Sequence, residues 1–217
     1  MELMDLGGPV MWVILGLSVL GGAIVLERLW FIFRASTDPS SLELALGDLI
    51  YHGKKEDASR LVRGSDSSLH RLFRVAVDHW EVDPEAMQVL LEQEVRREIF
   101  RWERGLGFLA TIARVTPLLG LLGTVIGMID VFRNLPGMTG SSMAVMAGGI
   151  WKALLTTVAG LSVAVPLILF HAFLSVRLER AEEMLWRGVD FMVRETVLRS
   201  YRRSEERRVG KECRYRG

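Results

Sequence analysis

Among the hydroxyls in the apolar stretches of this chain, three stand within faces of small residues: Thr124, and the neighbours Thr156 and Thr157. A threonine in such surroundings can hand its proton to the carbonyl one turn back, which satisfies it locally and implies no function. Threonines at a common depth in several assembled copies can instead line a weakly hydrated path that protons cross. Counted from Met138, Thr124 lies fourteen residues down one arm of a hairpin and Thr157 nineteen down the other. The difference is about 7.5 Å along a helix. Lys152 is the second chemical oddity. A lysine near the centre of a membrane helix costs roughly 2.5–3.5 kcal/mol, so it needs a cavity, a partner or a route to the interface. Asp130 is the candidate partner, with Lys152 about 9 Å deeper by the same count; snorkelling to the outer interface is the alternative. Arg114, nearer the other end of its stretch, suits snorkelling. His171 suits packing or an interfacial place better than a proton relay.

Small residues would let these groups come together. Gly120, Gly123 and Gly127 recur at spacings of three and four, and so do Gly149, Ala153, Thr156 or Thr157, Gly160 and Ala164. Each set makes one helix face, and in lipid such faces let backbones approach closely. Enzyme signatures are missing. The glycine run has no Gly-Lys-Ser/Thr ending, there is no His-Glu-x-x-His, and His52, His70, His79 and His171 have no metal-ligand spacing. The expectation is a protein that is not an enzyme and needs neither metal nor cofactor. No Asp or Glu lies deep in an apolar stretch, so a proton-carrying carboxylate has to come from another chain.

The elements that position these residues are read from the distribution of charge. Residues 9–26 carry no charge, and at 1.5 Å per residue they reach about 27 Å, close to the thickness of a bilayer core. The first span is set at 9–33, with residues 1–8 ahead of it. The second span covers 105–132, a turn-rich loop 133–142, and the third span 143–176. Residues 34–104 differ, being short amphipathic helices. The last begins with Asp83 as cap and Pro84 at the first helical position. Its apolar residues Met87, Leu91, Val95, Ile99 and Trp102 share one face. No breaker separates it from the second span, which predicts one continuous rod. Residues 177–201 read as a charged amphipathic helix continuing the third span. The fold class is therefore an all-α integral membrane protein with three transmembrane helices and long helical extensions.

Lys and Arg cluster after span one (Arg28, Arg34), before span two (Arg96, Arg97, Arg101, Arg104) and after span three (Arg177, Arg180). Only Arg133 lies in the connecting loop. Residues 1–8 and the loop are thus expected outside, with the middle domain and the C-terminus in the cytoplasm. No positive n-region or small-residue cleavage site marks the first span, so it is expected to stay as an anchor. Residues 202–217 carry seven Lys or Arg against three Asp or Glu, with almost no apolar periodicity, and they hold the sole cysteine, Cys213. This segment reads as a vector-derived tail, the alternative being a basic tail against anionic lipid. Without it the chain is acidic, which removes any general basic surface for nucleic acid. It also leaves no thiol for disulfide or zinc chemistry.

Three features together resemble the MotA/TolQ/ExbB proton-channel family. They are Glu27-Arg28 after span one, Thr116-Pro117-Leu-Leu-Gly-Leu-Leu-Gly-Thr124-Val-Ile-Gly-Met128, and Ala153-Leu-Leu-Thr156-Thr157-Val-Ala-Gly-Leu161-Ser-Val-Ala-Val-Pro166. Three spans with a middle cytoplasmic domain resemble the ExbB/TolQ branch. The resemblance implies a bacterial inner-membrane ring, usually a pentamer. It would enclose the single helix of an ExbD- or TolR-like partner that supplies the proton-carrying Asp. Proton entry would drive periplasmic or outer-membrane work, such as biopolymer transport, through a TonB- or TolA-like third protein. Thr124 and Thr157 match the pore-lining threonines of the family, and Thr156 adds a neighbouring hydroxyl. Where several relatives have Glu in span three, this chain has Lys152. The role of that Glu is therefore not carried over, and Lys152 stands as a candidate charge partner of the second subunit. An ExbB-like role is the leading expectation and a TolQ-like envelope motor the alternative. A non-conducting membrane scaffold is the rival of another class. A solute transporter would need inverted repeats, which the sequence does not show.

Overall fold

Proline and glycine set the edges of the helices. In a computed structural model that describes residues 2–35, 39–134 and 142–215, every described element is a helix. In order they are α1 (Glu2–Ala35), α2 (Pro39–Tyr51), α3 (Lys55–Arg63), α4 (Ser68–Asp78), α5 (Pro84–Glu103), α6 (Leu106–Asn134) and α7 (Ser142–Tyr215). Helix α1 breaks at Gly8, which takes φ 62° and ψ −162° ahead of Pro9. A residue before proline is driven out of the α region, and glycine tolerates a positive φ. The apolar stretch Gly8–Ile32, long enough to cross a membrane, begins at this break. Three helices, α1, α6 and α7, hold stretches long and apolar enough to cross a membrane. Most of the loop expected at 133–142 lies outside the described residues.

The chain divides into two compact units. One comprises Met1–Trp30 and Arg104–Val176, the other Phe31–Glu103 and Arg177–Gly217. The first, a membrane unit, exposes apolar side chains along its helices, among them Leu118, Leu121, Val125, Ile129, Trp151, Leu154, Val158 and Leu161. Its buried positions mix large residues such as Ile14, Leu109, Ile112 and Leu174 with small ones such as Ala153, Thr156 and Ala164. Gly21 of α1 lies against Leu167 of α7 so closely that an added Cβ would come within 2.8 Å of a leucine methyl.

The second, a polar unit, buries a conventional apolar core. Leu42, Leu46 and Ile50 of α2 join Ala58 and Val62 of α3, Leu69, Leu72 and Phe73 of α4, and Met87, Leu91 and Val95 of α5. Leu185, Val189 and Met192 of α7 complete it. Gly188 makes room, since a Cβ there would stand 2.9 Å from Leu69 Cδ1 and 3.2 Å from Phe73 Cε1. The Asp83 cap forms as expected, accepting from the Ala86 backbone N–H at 2.8 Å. Ser67 caps α4 in the same way, accepting from His70 N.

Two expectations change. The continuous rod through α5 and α6 is interrupted at Arg104 and Gly105, where Gly105 adopts φ +83°. That conformation lies in the left-handed region that ends helices and that glycine enters without cost. A glycine following a basic last turn was the signal for this break. The helix from span three, expected to end at residue 201, runs on through residue 202 to Tyr215. Arg202 lies within it, stacked over the Tyr51 ring at 4.3 Å and donating to the Tyr51 carbonyl at 3.0 Å.

Candidate functional site

The predicted glycine faces meet as an antiparallel seam between α6 and α7. Gly120 and Gly160 sit at its tightest point. A Cβ on Gly160 would stand 2.8 Å from the Thr116 carbonyl oxygen, and one on Gly120 would stand 3.0 Å from both the Thr156 oxygen and the Thr157 Cα. Further along, Gly123 faces the Thr156 side chain, Gly127 faces Ala153, and Gly149 faces Val131. All six predicted packing residues, Gly120, Gly123, Gly127, Gly149, Ala153 and Gly160, lie in this seam. At Gly120 and Gly160 only hydrogen lets two backbones come so near.

The threonines divide by role within it. Thr156 is 2% exposed. Its hydroxyl donates to the Ala153 carbonyl at 2.7 Å and lies 3.3 Å from the Gly120 carbonyl. Thr157 donates across the seam to that same Gly120 oxygen at 3.0 Å. Thr124 turns back on its own helix, donating to Leu121 O at 2.6 Å. Thr116, fully buried, donates to Ile112 O at 2.7 Å. Thr124 and Thr157 are half-buried, so these two reach the hairpin surface while Thr156 is spent on closing it.

The seam also corrects the depth count. Gly127 opposite Ala153 and Gly123 opposite Thr156 bring Thr124 level with residues 155–156, about 2 Å from the level of Thr157. The register is set by where the small residues meet, not by a count from Met138. By the same register Asp130 and Lys152 differ by two residues, about 3 Å, rather than about 9 Å. Both are exposed. Lys152 makes no hydrogen bond or ion pair among the described residues, so the expected pairing with Asp130 is not formed within the chain. Lys152 and Thr157 are about 140° apart around α7 and flank the stripe that faces α6 on opposite sides. Arg114 is exposed and His171 half-buried.

The polar unit contains a group that pattern reading missed. Glu98 is fully buried. Both its oxygens take Arg71, at 2.8 and 2.6 Å, and Arg101 adds a third bond at 2.6 Å. The bond to Glu98 is the leading cause that raises the Arg71 pKa above its ordinary value, against the opposing effect of burial. Beside it the Trp102 indole N–H donates to Ser68 Oγ at 3.0 Å, and the Trp102 ring meets Phe31 edge-on at 5.3 Å. Glu98 falls among Leu91, Val95 and Trp102 on the apolar face of α5, and a carboxylate in that series was the available signal.

The model of the MotA/TolQ/ExbB proton channel family matches residues 64–186, which span the end of the polar helices, both arms of the hairpin and the seam. This chain belongs to that family. Over 185 residues it is 33% identical to a putative biopolymer transport protein, ExbB-like 1, of Synechocystis, a match that covers 81% of this chain and 71% of that protein. It is 28% identical over 188 residues to the Tol-Pal system protein TolQ of Haemophilus influenzae, covering 79% and 80%. A solved structure of MotAB from C. jejuni shares the fold, with a TM-score of 0.66 and 15% identity, covering 90% of this chain and 79% of that one. Within the family the chain falls in the ExbB/TolQ branch. It is a multi-pass inner-membrane protein and a proton-channel subunit of an energy-transducing system.

Proposed function

We propose that this chain is an ExbB-like channel subunit that assembles as a pentameric ring around the single helix of an ExbD- or TolR-like protein. Protons pass at the level of Thr124 and Thr157, beside an aspartate that the second protein supplies. The ring turns that passage into work by a TonB-like third protein. Residues 1–8 face the periplasm, and the polar unit and C-terminus face the cytoplasm, following the Lys and Arg bias at the span ends. The subunit makes and breaks no covalent bond. The observation that carries this reading is the level match of two half-buried threonines on a hairpin whose tight seam keeps lipid out from between its arms. The protonatable carboxylate is best assigned to another chain, because none lies deep in these spans.

The test is proton flux into vesicles that hold the chain and its single-span partner. Thr124→Val and Thr157→Val should each cut flux by about a hundredfold or more, in the range of a lost proton-transfer group, while leaving assembly intact. Unchanged flux in both variants sinks the pore role and favours the scaffold. A TolQ-like envelope motor is the second reading, favoured by the similarity to TolQ over a comparable length. Complementation of an ExbB-deficient and of a TolQ-deficient strain separates the two.

A further inference from the structure

A hydroxyl has one proton to give and two lone pairs that accept. Among the described residues of the membrane unit, each threonine gives its proton to a backbone carbonyl. Thr124 donates to Leu121 O on its own helix. Thr157 differs, because its proton goes to the other arm of the hairpin, on Gly120 O at 3.0 Å. The seam there is too tight for water, since an added Cβ on Gly120 would already stand 3.0 Å from the Thr156 oxygen and from Thr157 Cα. A Thr157 proton turned outward would therefore forfeit the cross-seam bond with nothing to replace it. What Thr124 and Thr157 present to the hairpin surface is lone pairs.

We propose that the level of Thr124 and Thr157 holds the carboxyl of the second protein in its protonated form, with both hydroxyls accepting and neither donating. The Gly120 carbonyl is the positioning group that fixes this sense for Thr157. The proposal rests on the reading of these threonines as the proton path. A neutral carboxylic acid has an O–H to give, and a lone pair of either threonine takes it. A carboxylate has only acceptors, so it meets lone pairs there and gains no hydrogen bond. The acid proton stays on the carboxyl oxygen and the threonines keep theirs, so no bond breaks at this level. A hydrogen bond made to the neutral form favours that form. The two threonines act together because they differ by only about 2 Å in height. This level therefore keeps the carrier loaded, and the empty carboxylate takes its donors from water at the ends of the path.

The experiment uses the full chain with its single-span partner in vesicles. The infrared C=O band of the partner's carboxyl is followed against pH, and a partner with asparagine in place of that aspartate identifies the band. Thr157→Val should lower the midpoint of protonation by about one pH unit, a tenfold loss of the protonated form. Thr157→Ser keeps the hydroxyl and should hold the wild-type midpoint. Thr124→Val should shift it in the same direction as Thr157→Val, and it carries the test if Thr157→Val does not assemble. A midpoint that rises in the valine variants overturns the proposal, because the hydroxyls then donate to the carboxylate. A midpoint that stays in place while flux falls overturns it too, because the hydroxyls then treat both forms alike. Those two results leave the pore role standing. An unchanged midpoint together with unchanged flux overturns the pore role as well.

Discussion

The membrane unit and the polar unit of this protein solve packing by opposite means. In the membrane unit, α6 and α7 meet where side chains are missing: Gly120 against Gly160, Gly127 against Ala153. Beside that seam Leu118, Leu121, Leu154 and Val158 are exposed. In the polar unit, five helical segments meet through large residues, and Phe73, Leu46, Leu69, Leu72 and Leu185 are almost completely buried. The difference follows from the solvent. Water drives apolar area together, so bulk stabilises the polar unit. Lipid tails give no such drive, so backbone proximity and carbonyl-to-threonine bonds hold the hairpin instead. Charge is also handled differently. The polar unit surrounds its buried carboxylate, Glu98, with two arginines, whereas the hairpin leaves Lys152 on its surface.

The contrast breaks most visibly at Glu98. Glu98→Gln strips the counter-charge from Arg71 and Arg101 and should destabilise the polar unit by about 3–5 kcal/mol. Tryptophan fluorescence during thermal unfolding of the purified chain reads this, and an unaltered transition would show that the buried pair contributes nothing. Next in size is the seam. Gly160→Leu forces a side chain into the Thr116 carbonyl and should cost about 1–3 kcal/mol or separate the arms. The loss appears as dissociated oligomer on size exclusion, with the fluorescence transition of the polar unit in place. A matching transition loss would mean that the two units do not differ in the way described. Smaller still, Thr156→Val should change stability by only about 0.6 kcal/mol, the average worth of such a bond in a membrane protein. Comparing it with Thr157→Val in the flux assay sharpens the division between a seam threonine and a surface threonine.

The smallest effect concerns pH. His70 is buried, with Ser67 Oγ 2.8 Å from its Nδ1. Burial first, and the Arg74 charge second, push its pKa below the ordinary value of 6.5. The unfolded chain therefore binds this proton more readily than the folded one. Stability from this group is present above pH 6.5 and falls as the pH drops below that value toward the depressed folded pKa. His70→Asn should flatten the acid side of the unfolding midpoint plotted against pH. A slope equal to that of the wild type would remove His70 as its source.

Much of the architecture was legible because charge and helix period are local properties. The three spans, the Asp83 cap and the apolar face of α5 all come from residues a few positions apart. The glycine faces were legible for the same reason. Their register was not, because which glycine meets which threonine depends on two helices far apart in sequence. Loop length alone misplaced Thr124 against Thr157 by several ångströms. The break at Gly105 was missed because the helical pattern of α5 and the apolar run of α6 flank it directly, and one glycine between them does not reveal its own left-handed backbone. Glu98 was missed because a carboxylate on an apolar face has meaning only once Arg71, twenty-seven residues earlier, is known to reach it.

By itself the sequence determined that this chain crosses a membrane three times, carries a separate polar helical unit and brings no deep carboxylate of its own. Those properties depend on which residues are present and at what spacing along one helix. Tertiary structure alone decided that Thr156 closes the seam while Thr124 and Thr157 share a level at its surface. It likewise decided that Lys152 finds no partner among the described residues of its own chain. Depth and accessibility belong to pairs of helices, and the contact of two backbones at Gly120 and Gly160 sets both.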